Sequence, residues 1–346
     1  MGPDRIYLDH AATTPLVPAA RDAMASALEM WANPSSPHSE GRAARAALEQ
    51  ARARVATALD WDGEILFASG ASEAIALALK GFDAVASAVE HDAVLAAVGD
   101  GPHIGVDADG MVQLDTITKG RRYAIQQVNN ETGMIQPLAE LGKIIREGGG
   151  LLVADCSQGA GKLPLPDADL IILSAHKLGG PPGLGALLLR DLSLLHPSGG
   201  QEKGYRRGTE NLPAILGLAA ALEAGFGWMD AVQQLRAKLD AAILAAGGQV
   251  VAATAPRLGT IGSYRMPGIS ASSQLISFDL AGIAVSAGSA CSSGTLKTSH
   301  VLGAMGWDAK AASEVVRVSF GPQTSEADID RFVAAWVTIR NRALTA

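Results

Sequence analysis

Three polar side chains with catalytic potential each follow an apolar run of this 346-residue chain. Lys177 comes after "ADLIILSAH", Asp155 closes "GLLVAD", and His91 closes "FDAVASAVEH". A lysine amine can bond covalently to an aldehyde, a carboxylate can hold a proton on a ring nitrogen, and an imidazole moves protons near neutral pH. The stretch "LSAHKLGGPPG" also excludes a regular helix after Lys177, because glycine and proline interrupt helices. These residues therefore favour covalent catalysis by a lysine held in a stiff loop.

Other polar residues occupy comparable positions at predicted strand ends. They are Ser72, Asn130, Gln158, Ser174 and His176. Taken singly, each has an ordinary structural explanation, since such residues often cap helices or contact solvent. Ligands of open parallel sheets, however, bind outside the carboxyl ends of the strands. The whole set therefore predicts one pocket with an amine, a carboxylate, an imidazole and a helix start suited to phosphate.

The elements that must position these residues follow an alternating pattern. From about residue 40 to about residue 225, short apolar runs alternate with Ala- and Leu-rich helical stretches, which is typical of βα units. "GEILFASG" predicts a strand, and "ASEAIALALKG" predicts a helix that begins near Ser72 and ends at Gly81. After about residue 228 the pattern changes to a long helix, mixed strands and a last helix opened by "TSEAD". A mainly parallel sheet and a second, smaller domain are therefore expected.

Pyridoxal 5′-phosphate (PLP) chemistry uses this combination of groups. A lysine forms a Schiff base with the aldehyde, and a carboxylate keeps the pyridine nitrogen protonated so that the ring accepts electrons. The phosphate would lie at the helix start Gly70-Ala71-Ser72, where free N–H groups and the helix dipole favour an anion. A dinucleotide site is the alternative, but the chain has neither GxGxxG there nor a P-loop motif.

Composition excludes several other classes of protein. The net charge is −7 with interspersed signs, so no basic stripe indicates nucleic-acid binding. No apolar leader and no run of 18 apolar residues is present, and we therefore expect a cytoplasmic protein without a membrane span. The two cysteines, Cys156 and Cys291, form no CxxC pair, which indicates neither a zinc site nor a disulfide framework. No metal site is predicted.

Ten segments of the chain resemble the cysteine desulfurases, in the class V branch of the fold-type I PLP enzymes. The segments, in order, are "YLDHAATTP" (7–15), "NPSSPHSEGRAAR" (33–45), "SGASEA" (69–74), "EHDAVL" (90–95), "VNNETG" (128–133), "DCSQGAGKLP" (155–164), "SAHKLGGPPGLGAL" (174–187), "GGQEKGYRRGTEN" (199–211), "SAGSACSSG" (286–294) and "VRVSFG" (316–321). The resemblance implies an α/β fold with a mainly parallel seven-stranded sheet between helices, plus a smaller α+β domain. It also implies a large PLP-binding domain at 15–240 and a small domain formed by 1–14 and 241–346.

The resemblance assigns a role to individual residues. Lys177 would carry the Schiff base, Asp155 would hold the pyridine nitrogen, Gln158 would bond the ring oxygen, and His91 would stack on the ring and transfer protons. The groups expected at the phosphate are the backbone of Ala71, the side chains of Ser72, Ser174 and His176, and Thr209 from a neighbouring subunit. The groups expected at the substrate carboxylate are Asn33, Asn130 and Arg317.

Cys291 distinguishes this branch from ordinary aminotransferases. Its surroundings, "SAGSACSSGTLKTSH", are small and polar, which predicts a loop with little apolar surface to bury a thiol. The resemblance implies that the Cys291 thiolate attacks the sulfur of L-cysteine, so that alanine leaves and a persulfide remains. Cys156, beside Asp155, is predicted to be structural.

The sequence leaves the partners and one alternative activity open. The resemblance implies a homodimer and transfer of sulfur to an acceptor protein, either an iron–sulfur scaffold or a thiolation carrier. The chain ends soon after its last helix, where relatives that dock an iron–sulfur scaffold carry an extension, so we leave that partner open. A selenocysteine lyase or another β-eliminating class V enzyme is the alternative enzyme. A sulfur-carrier or scaffold subunit without catalysis is the non-enzymatic alternative.

Overall fold

The computed structural model describes residues 5–290 and 296–344. Its helices are α1 (Pro18–Ala27), α2 (Ser39–Ala58), α3 (Ala71–Leu79), α4 (Asp92–Val98), α5 (Leu138–Glu147), α6 (Leu212–Glu223), α7 (Met229–Ala245), α8 (Ala271–Leu280), α9 (His300–Ala304), α10 (Ala309–Ala312) and α11 (Glu326–Leu344). Its strands are β1 (Ile6–Tyr7), β2 (Glu64–Ala68), β3 (Ala84–Ala86), β4 (Arg122–Gln126), β5 (Leu151–Asp155), β6 (Leu170–Ser174), β7 (Gly185–Leu189), β8 (Gln249–Val250), β9 (Ile261–Arg265), β10 (Ile283–Ala284), β11 (Ser289–Ala290), β12 (Leu296–Lys297) and β13 (Val315–Ser319).

The main sheet has the strand order β2-β7-β6-β5-β4-β3, and β7 alone runs against its neighbours. This arrangement confirms the predicted α/β class with a mainly parallel sheet. In the described residues the sheet has six strands rather than the expected seven. Beyond β3 the edge carries only a parallel bridge between Ser87 and Ile104. A seventh strand is therefore reduced there to one paired position.

Apolar packing on both faces explains why the central strands read as continuous apolar runs. Strands β4, β6 and β7 are buried at every position, as parallel sheets covered by helices on both sides require. A large apolar cluster from α2, α5 and α6 covers one face, and a smaller one from α3 and α4 covers the other. The sheet is therefore a rigid platform for whatever its strand ends carry.

A second hydrophobic body packs around Phe278, Phe332 and Trp336. It includes the antiparallel sheet β13-β9-β8 and takes in Ile6 and Leu8 from the chain start, where β1 pairs in parallel with β10. Val232 and Leu239 of α7 also belong to it. The domain limits at 14 and 240 stay a prediction, and the packing of α7 favours a boundary nearer residue 228.

No helix among the described residues has both the length and the apolar character that crossing a bilayer requires.

A buried ion pair protects the free edge of β2 in the described structure. The Arg52 guanidinium of α2 donates two hydrogen bonds to the Glu202 carboxylate, at 2.7 and 3.0 Å. Arg52 also donates to the Ile65 carbonyl, and Glu202 accepts from the Phe67 N–H. These are backbone groups of an edge strand, which otherwise need water or another chain. The pair therefore joins α2, β2 and the loop that leads to Thr209.

Replacing Glu202 by alanine is expected to lower the free energy of unfolding by about 3–5 kcal/mol, because Arg52 would lose its buried two-bond partner and keep only the half-exposed Glu49 as a counter-ion. The matched control is Glu223→Ala, which breaks a two-bond ion pair with Arg54. Like Arg52, Arg54 belongs to α2, but it lies on the half-exposed face of that helix. Such a surface pair contributes about 0–1 kcal/mol. Urea unfolding followed by circular dichroism compares the two variants, and equal losses would contradict the special role of the buried pair.

Candidate active site

A cavity of about 320 Å³ lies at the carboxyl edge of the main sheet. Its lining includes most of the residues that the sequence singled out: Ala71, Ser72, His91, Asn130, Asp155, Gln158, Ser174, His176 and Lys177. Strand register brings them together, because Asp155 pairs with Gln126 on one side and with Ile172 on the other. Residues separated by more than one hundred positions in the chain therefore face one space.

Lys177 lies at the end of a single helical turn that follows β6. Its Nζ donates to the carbonyl oxygen of Ala11 at 2.5 Å. Burial, and then the charge of nearby Arg317, lower the pKa of Lys177 to about 8. The negative charges of Asp155 and Asp9 oppose this lowering. A neutral amine, which is the nucleophilic form, is therefore accessible close to physiological pH.

Asp155 and Gln158 contribute the polar groups of the second wall. The carboxylate of Asp155 is buried at the end of β5 and accepts a hydrogen bond from the Ser157 N–H at 2.9 Å. The Gln158 amide nitrogen donates to the Ala11 carbonyl at 2.9 Å, while its Oε1 is buried and has no partner among the described residues. Buried polar atoms normally find partners. This oxygen is an exception to that rule, and the Gln158 amide nitrogen keeps a second hydrogen for a ligand in the cavity.

The start of α3 forms the anion-binding end of the cavity. Gly70 precedes the helix, and Ala71 and Ser72 open its first turn with free backbone N–H groups. Close approach of β7 requires glycine at 185, since a Cβ there would lie 2.5 Å from the Gly70 carbonyl carbon and 2.8 Å from the Ala71 nitrogen. Ser174 pairs with Gly185 across the sheet. The hydroxyls of Ser72 and Ser174 thus flank one helix N-terminus.

Two imidazoles in the cavity differ in their hydrogen bonding. His91 caps α4, and its Nδ1 accepts from the Ala93 N–H at 3.1 Å, so a neutral ring carries its proton on Nε2. His176 contacts the Thr13 hydroxyl through Nδ1 at 3.2 Å. Burial, and then the charge of Lys177, lower the pKa of His176 to about 4. His176 is therefore neutral at pH 7 and acts as a hydrogen-bonding group.

A second cavity of about 300 Å³ adjoins the first and shares His91, Asn130 and Lys177 with it. Arg317 of β13 lines it, and the guanidinium is buried. Arg317 donates to the Asn130 carbonyl at 3.0 Å and to the Asp9 carboxylate at 2.9 Å, while its Nε has no partner among the described residues. This arrangement suits recognition of a carboxylate beside the lysine.

Other predicted residues lie outside both cavities. The Asn33 side chain is exposed and accepts from the Ser35 N–H at 2.8 Å, and Thr209 is exposed. Cys291 lies outside the described residues; β11 and β12, on either side of it, pair with each other. Cys156 is fully buried, and burial raises the pKa of its thiol well above the ordinary value. Cys156 is therefore unsuited to act as a thiolate.

Sequence reasoning missed two contributions to the site. Asp9 and Ala11 of "YLDHAATTP" contact Arg317 and Lys177, although no role was assigned to this motif. Lys162, in "DCSQGAGKLP", donates to the carbonyl oxygens of Gln158 and Lys177, both at 3.1 Å. Burial, and then Lys177, lower the pKa of Lys162 to about 7. The only signal in the sequence for these residues is that they lie in segments that resemble the cysteine desulfurases.

Comparison with known proteins agrees with this geometry. Residues 6–332 match the family Aminotransferase class-V. The chain is 37% identical over 364 residues to a cysteine desulfurase of Cereibacter sphaeroides, covering 95% of this chain and 94% of the relative. It is 38% identical over 363 residues to a cysteine desulfurase of Gluconacetobacter diazotrophicus, with coverages of 94% and 91%.

Solved structures show the same likeness in three dimensions. A NifS-like protein from Rickettsia africae superposes with a TM-score of 0.89 at 31% identity, covering 97% of this chain and 99% of that one. The protein SspA, solved in complex with cysteine, superposes with a TM-score of 0.79 at 29% identity, covering 92% of this chain and all of that one. The chain therefore belongs to the aminotransferase class-V family, in the branch of the cysteine desulfurases.

Proposed function

We propose that this chain converts L-cysteine to L-alanine with PLP bound at Lys177, and passes the sulfur to an acceptor protein. The observation that carries the proposal is the meeting of the Lys177 amine and the Asp155 carboxylate in one cavity, at the ends of neighbouring strands. A lysine with a lowered pKa beside a carboxylate and a helix N-terminus is the set of groups that PLP catalysis uses. The cysteine desulfurases among the relatives support cysteine as the substrate.

The described residues fit PLP at every part of the cofactor. Ala71, Ser72, Ser174 and neutral His176 would hold the phosphate, at the positive end of α3. Asp155 would hold the ring nitrogen. Gln158 would bond the ring oxygen through the second hydrogen of its amide nitrogen, because the first goes to the Ala11 carbonyl.

Bound PLP supplies an electron sink for the carbon–hydrogen bond next to the substrate amine. Asp155 would face the ring nitrogen and hold a proton there. Lys177 would remove the Cα proton of the substrate. His91 would stack on the ring and exchange protons through Nε2, since its Nδ1 is occupied by the Ala93 N–H. Arg317 and Asn130 would bind the substrate carboxylate, and Asn33 stays a further prediction for that role.

The sulfur step is assigned to Cys291. Its thiolate would attack the sulfur of the substrate, which forms a sulfur–sulfur bond and breaks the sulfur–carbon bond. The electron pair of the broken bond goes to the substrate carbon, which takes up a proton and leaves as alanine. Two contacts hold the described residues on either side of Cys291. Strand β11 pairs with β12, and the Ser299 hydroxyl donates to the buried Glu131 carboxyl at 2.5 Å.

A homodimer and an acceptor protein complete the proposal. Thr209, exposed after the anchored loop at Glu202, would contribute to the phosphate site of a second copy. An iron–sulfur scaffold or a thiolation carrier would receive the persulfide. The cytoplasm is the proposed compartment.

Lys177→Ala is expected to abolish covalent capture of PLP, because Lys177 is the only lysine among the described residues that line the cavity. Borohydride reduction followed by peptide mass spectrometry locates the label. The matched comparison is Lys162→Met, which removes the neighbouring buried amine and should leave the label on Lys177. Label on Lys162 in the wild-type protein would contradict the assignment.

Covalent uptake of PLP by the apoprotein is expected to accelerate with pH, with a midpoint near pH 8 and a plateau about one pH unit higher, since only the neutral lysine reacts. With a pKa of about 8, the neutral fraction of Lys177 is roughly a tenth at pH 7. Arg317→Gln removes a positive charge that lowers this pKa, so its midpoint should move upward. Stopped-flow absorbance measures the uptake rate. A wild-type midpoint near the ordinary lysine value of 10.5 would contradict the environment described for Lys177.

Cys291→Ala is expected to bind PLP and L-cysteine but to form alanine at least about a hundredfold more slowly, because the thiol that accepts sulfur is missing. Selenocysteine should be affected less, since a selenol is a better leaving group. Alanine release from both substrates measures the difference, and Cys156→Ser is the control for loss of a thiol in general. Undiminished alanine formation from L-cysteine would favour a lyase over a desulfurase.

A further inference from the structure

Asp9 occupies a position that the proposed mechanism does not use. It follows β1, and its backbone forms a parallel bridge with Ser319 of β13, so the two ends of the chain meet there. The carboxylate faces the second cavity together with Lys177 and Arg317. About a fifth of the side chain is exposed (22%), which leaves room for contact with a ligand.

The ion pair with Asp9 leaves part of the hydrogen-bonding capacity of the Arg317 guanidinium unused. Its Nη2 donates to Asp9 and its Nη1 to the Asn130 carbonyl, but its Nε has no partner among the described residues. The side chain is only 6% exposed, so a donor is left over on a buried guanidinium. Each terminal nitrogen of the guanidinium keeps a second hydrogen, and Arg317 lines the second cavity, so a ligand carboxylate can bind Arg317 while Asp9 keeps its ion pair.

Asp9 lies near the expected position of the substrate amine as well as near that of the substrate carboxylate. Its charge raises the pKa of Lys177 against the lowering caused by burial and by Arg317, so Asp9 is electrostatically close to the lysine amine. In the proposed function the substrate amine replaces that lysine amine. The carboxylate of Asp9 therefore lies beside the places where both charged groups of an amino acid must bind.

We propose that Asp9 is a specificity-determining residue, which with Arg317 forms a paired negative and positive charge that selects a zwitterionic α-amino acid over a simple carboxylate. This proposal rests on the proposed function, because it takes Arg317 as the carboxylate site and Lys177 as the amine site. The Asp9 carboxylate attracts the ammonium group of an amino acid, whereas it repels the carboxylate of a ligand that has no ammonium group. Without Asp9, an unbalanced guanidinium and lysine would attract any small anion.

A purely structural role for Asp9 makes different predictions. If Asp9 only neutralises Arg317, its loss would lower the stability of the fold and weaken the binding of all ligands alike. If it selects zwitterions, its loss changes the order of preference between two ligands of the same size. It also lowers the pKa of Lys177, because a nearby negative charge is removed.

The test compares Asp9→Asn with the wild-type holoenzyme, using L-alanine and propionate as ligands. These differ in the amino group alone. Because that group also lets L-alanine react with bound PLP, the quantity compared between variants is the ratio of the two dissociation constants, measured by titration of protein fluorescence. We expect Asp9→Asn to bind L-alanine about tenfold more weakly and propionate several-fold more tightly, since an opposite charge within a few ångströms changes such equilibria about ten- to a thousandfold. The pH midpoint of PLP uptake by its apoprotein should also move below that of the wild type.

Two further variants keep the test decisive. Asp279→Asn is the control, because it removes an ion pair with Arg5 next to the same strand but outside both cavities, and it should leave the ratio of the two constants unchanged. Asp9→Glu keeps the charge, and it should still prefer L-alanine even if Asp9→Asn does not fold. Preference for propionate by Asp9→Glu would overturn the proposal.

The outcomes also separate this proposal from the function on which it rests. A wild-type enzyme that binds L-alanine, together with a folded Asp9→Asn variant of unchanged alanine-to-propionate ratio, would overturn the role of Asp9 alone. A wild-type holoenzyme that binds neither ligand would overturn the proposed function and the role of Asp9 together.

Discussion

The contact between residues 9–14 and the turn at Lys177 is the interaction on which the site depends. The Thr14 N–H donates to the His176 carbonyl at 2.8 Å, and the Thr14 hydroxyl donates to the Lys177 carbonyl at 3.2 Å. In the other direction, Lys177 and Gln158 both donate to the Ala11 carbonyl. This segment leaves the second hydrophobic body at β1 and crosses to the strand ends of the main sheet. The two bodies therefore meet in a polar junction here, and Asp9 and Ala12 of the segment line the second cavity.

The charges at this junction are arranged so that the lysine amine is not strongly held as a cation. Lys177 and Lys162 are bonded to carbonyl oxygens, which are weaker partners for an ammonium than a carboxylate in direct contact. Burial then lowers both pKa values, and Arg317 adds to the effect on Lys177. The positive end of α3, at Ala71, lines the same cavity. The same arrangement therefore favours a reactive amine and an anionic ligand.

Sequence patterns predicted the central elements well and the edges of the sheet poorly. The runs "GLLVAD" and "ADLIILS" gave β5 and β6 because strands buried on both faces need continuous apolar residues. Strand β3 is only three residues long, although "FDAVASAVE" predicted a longer one, because Ser87 onward turns toward His91. Strand β7 was not predicted, since "GLGALLL" follows a Gly-Pro loop and has no period that separates strand from helix. Its antiparallel direction places Gly185 against Ser174 and the start of α3.

The sequence by itself determined which residues could do the chemistry. Lys177, Asp155 and His91 each follow an apolar run, and strand ends of a parallel sheet must meet at one edge. The contacts of Asp9 with Arg317 and of Ala11 with Lys177 were decided only by tertiary structure. These contacts join positions about 170 to 310 residues apart, through a carbonyl oxygen and an ion pair that no local period encodes. Local patterns report which face of an element is buried, whereas the docking of two separate apolar bodies decides which polar groups meet between them.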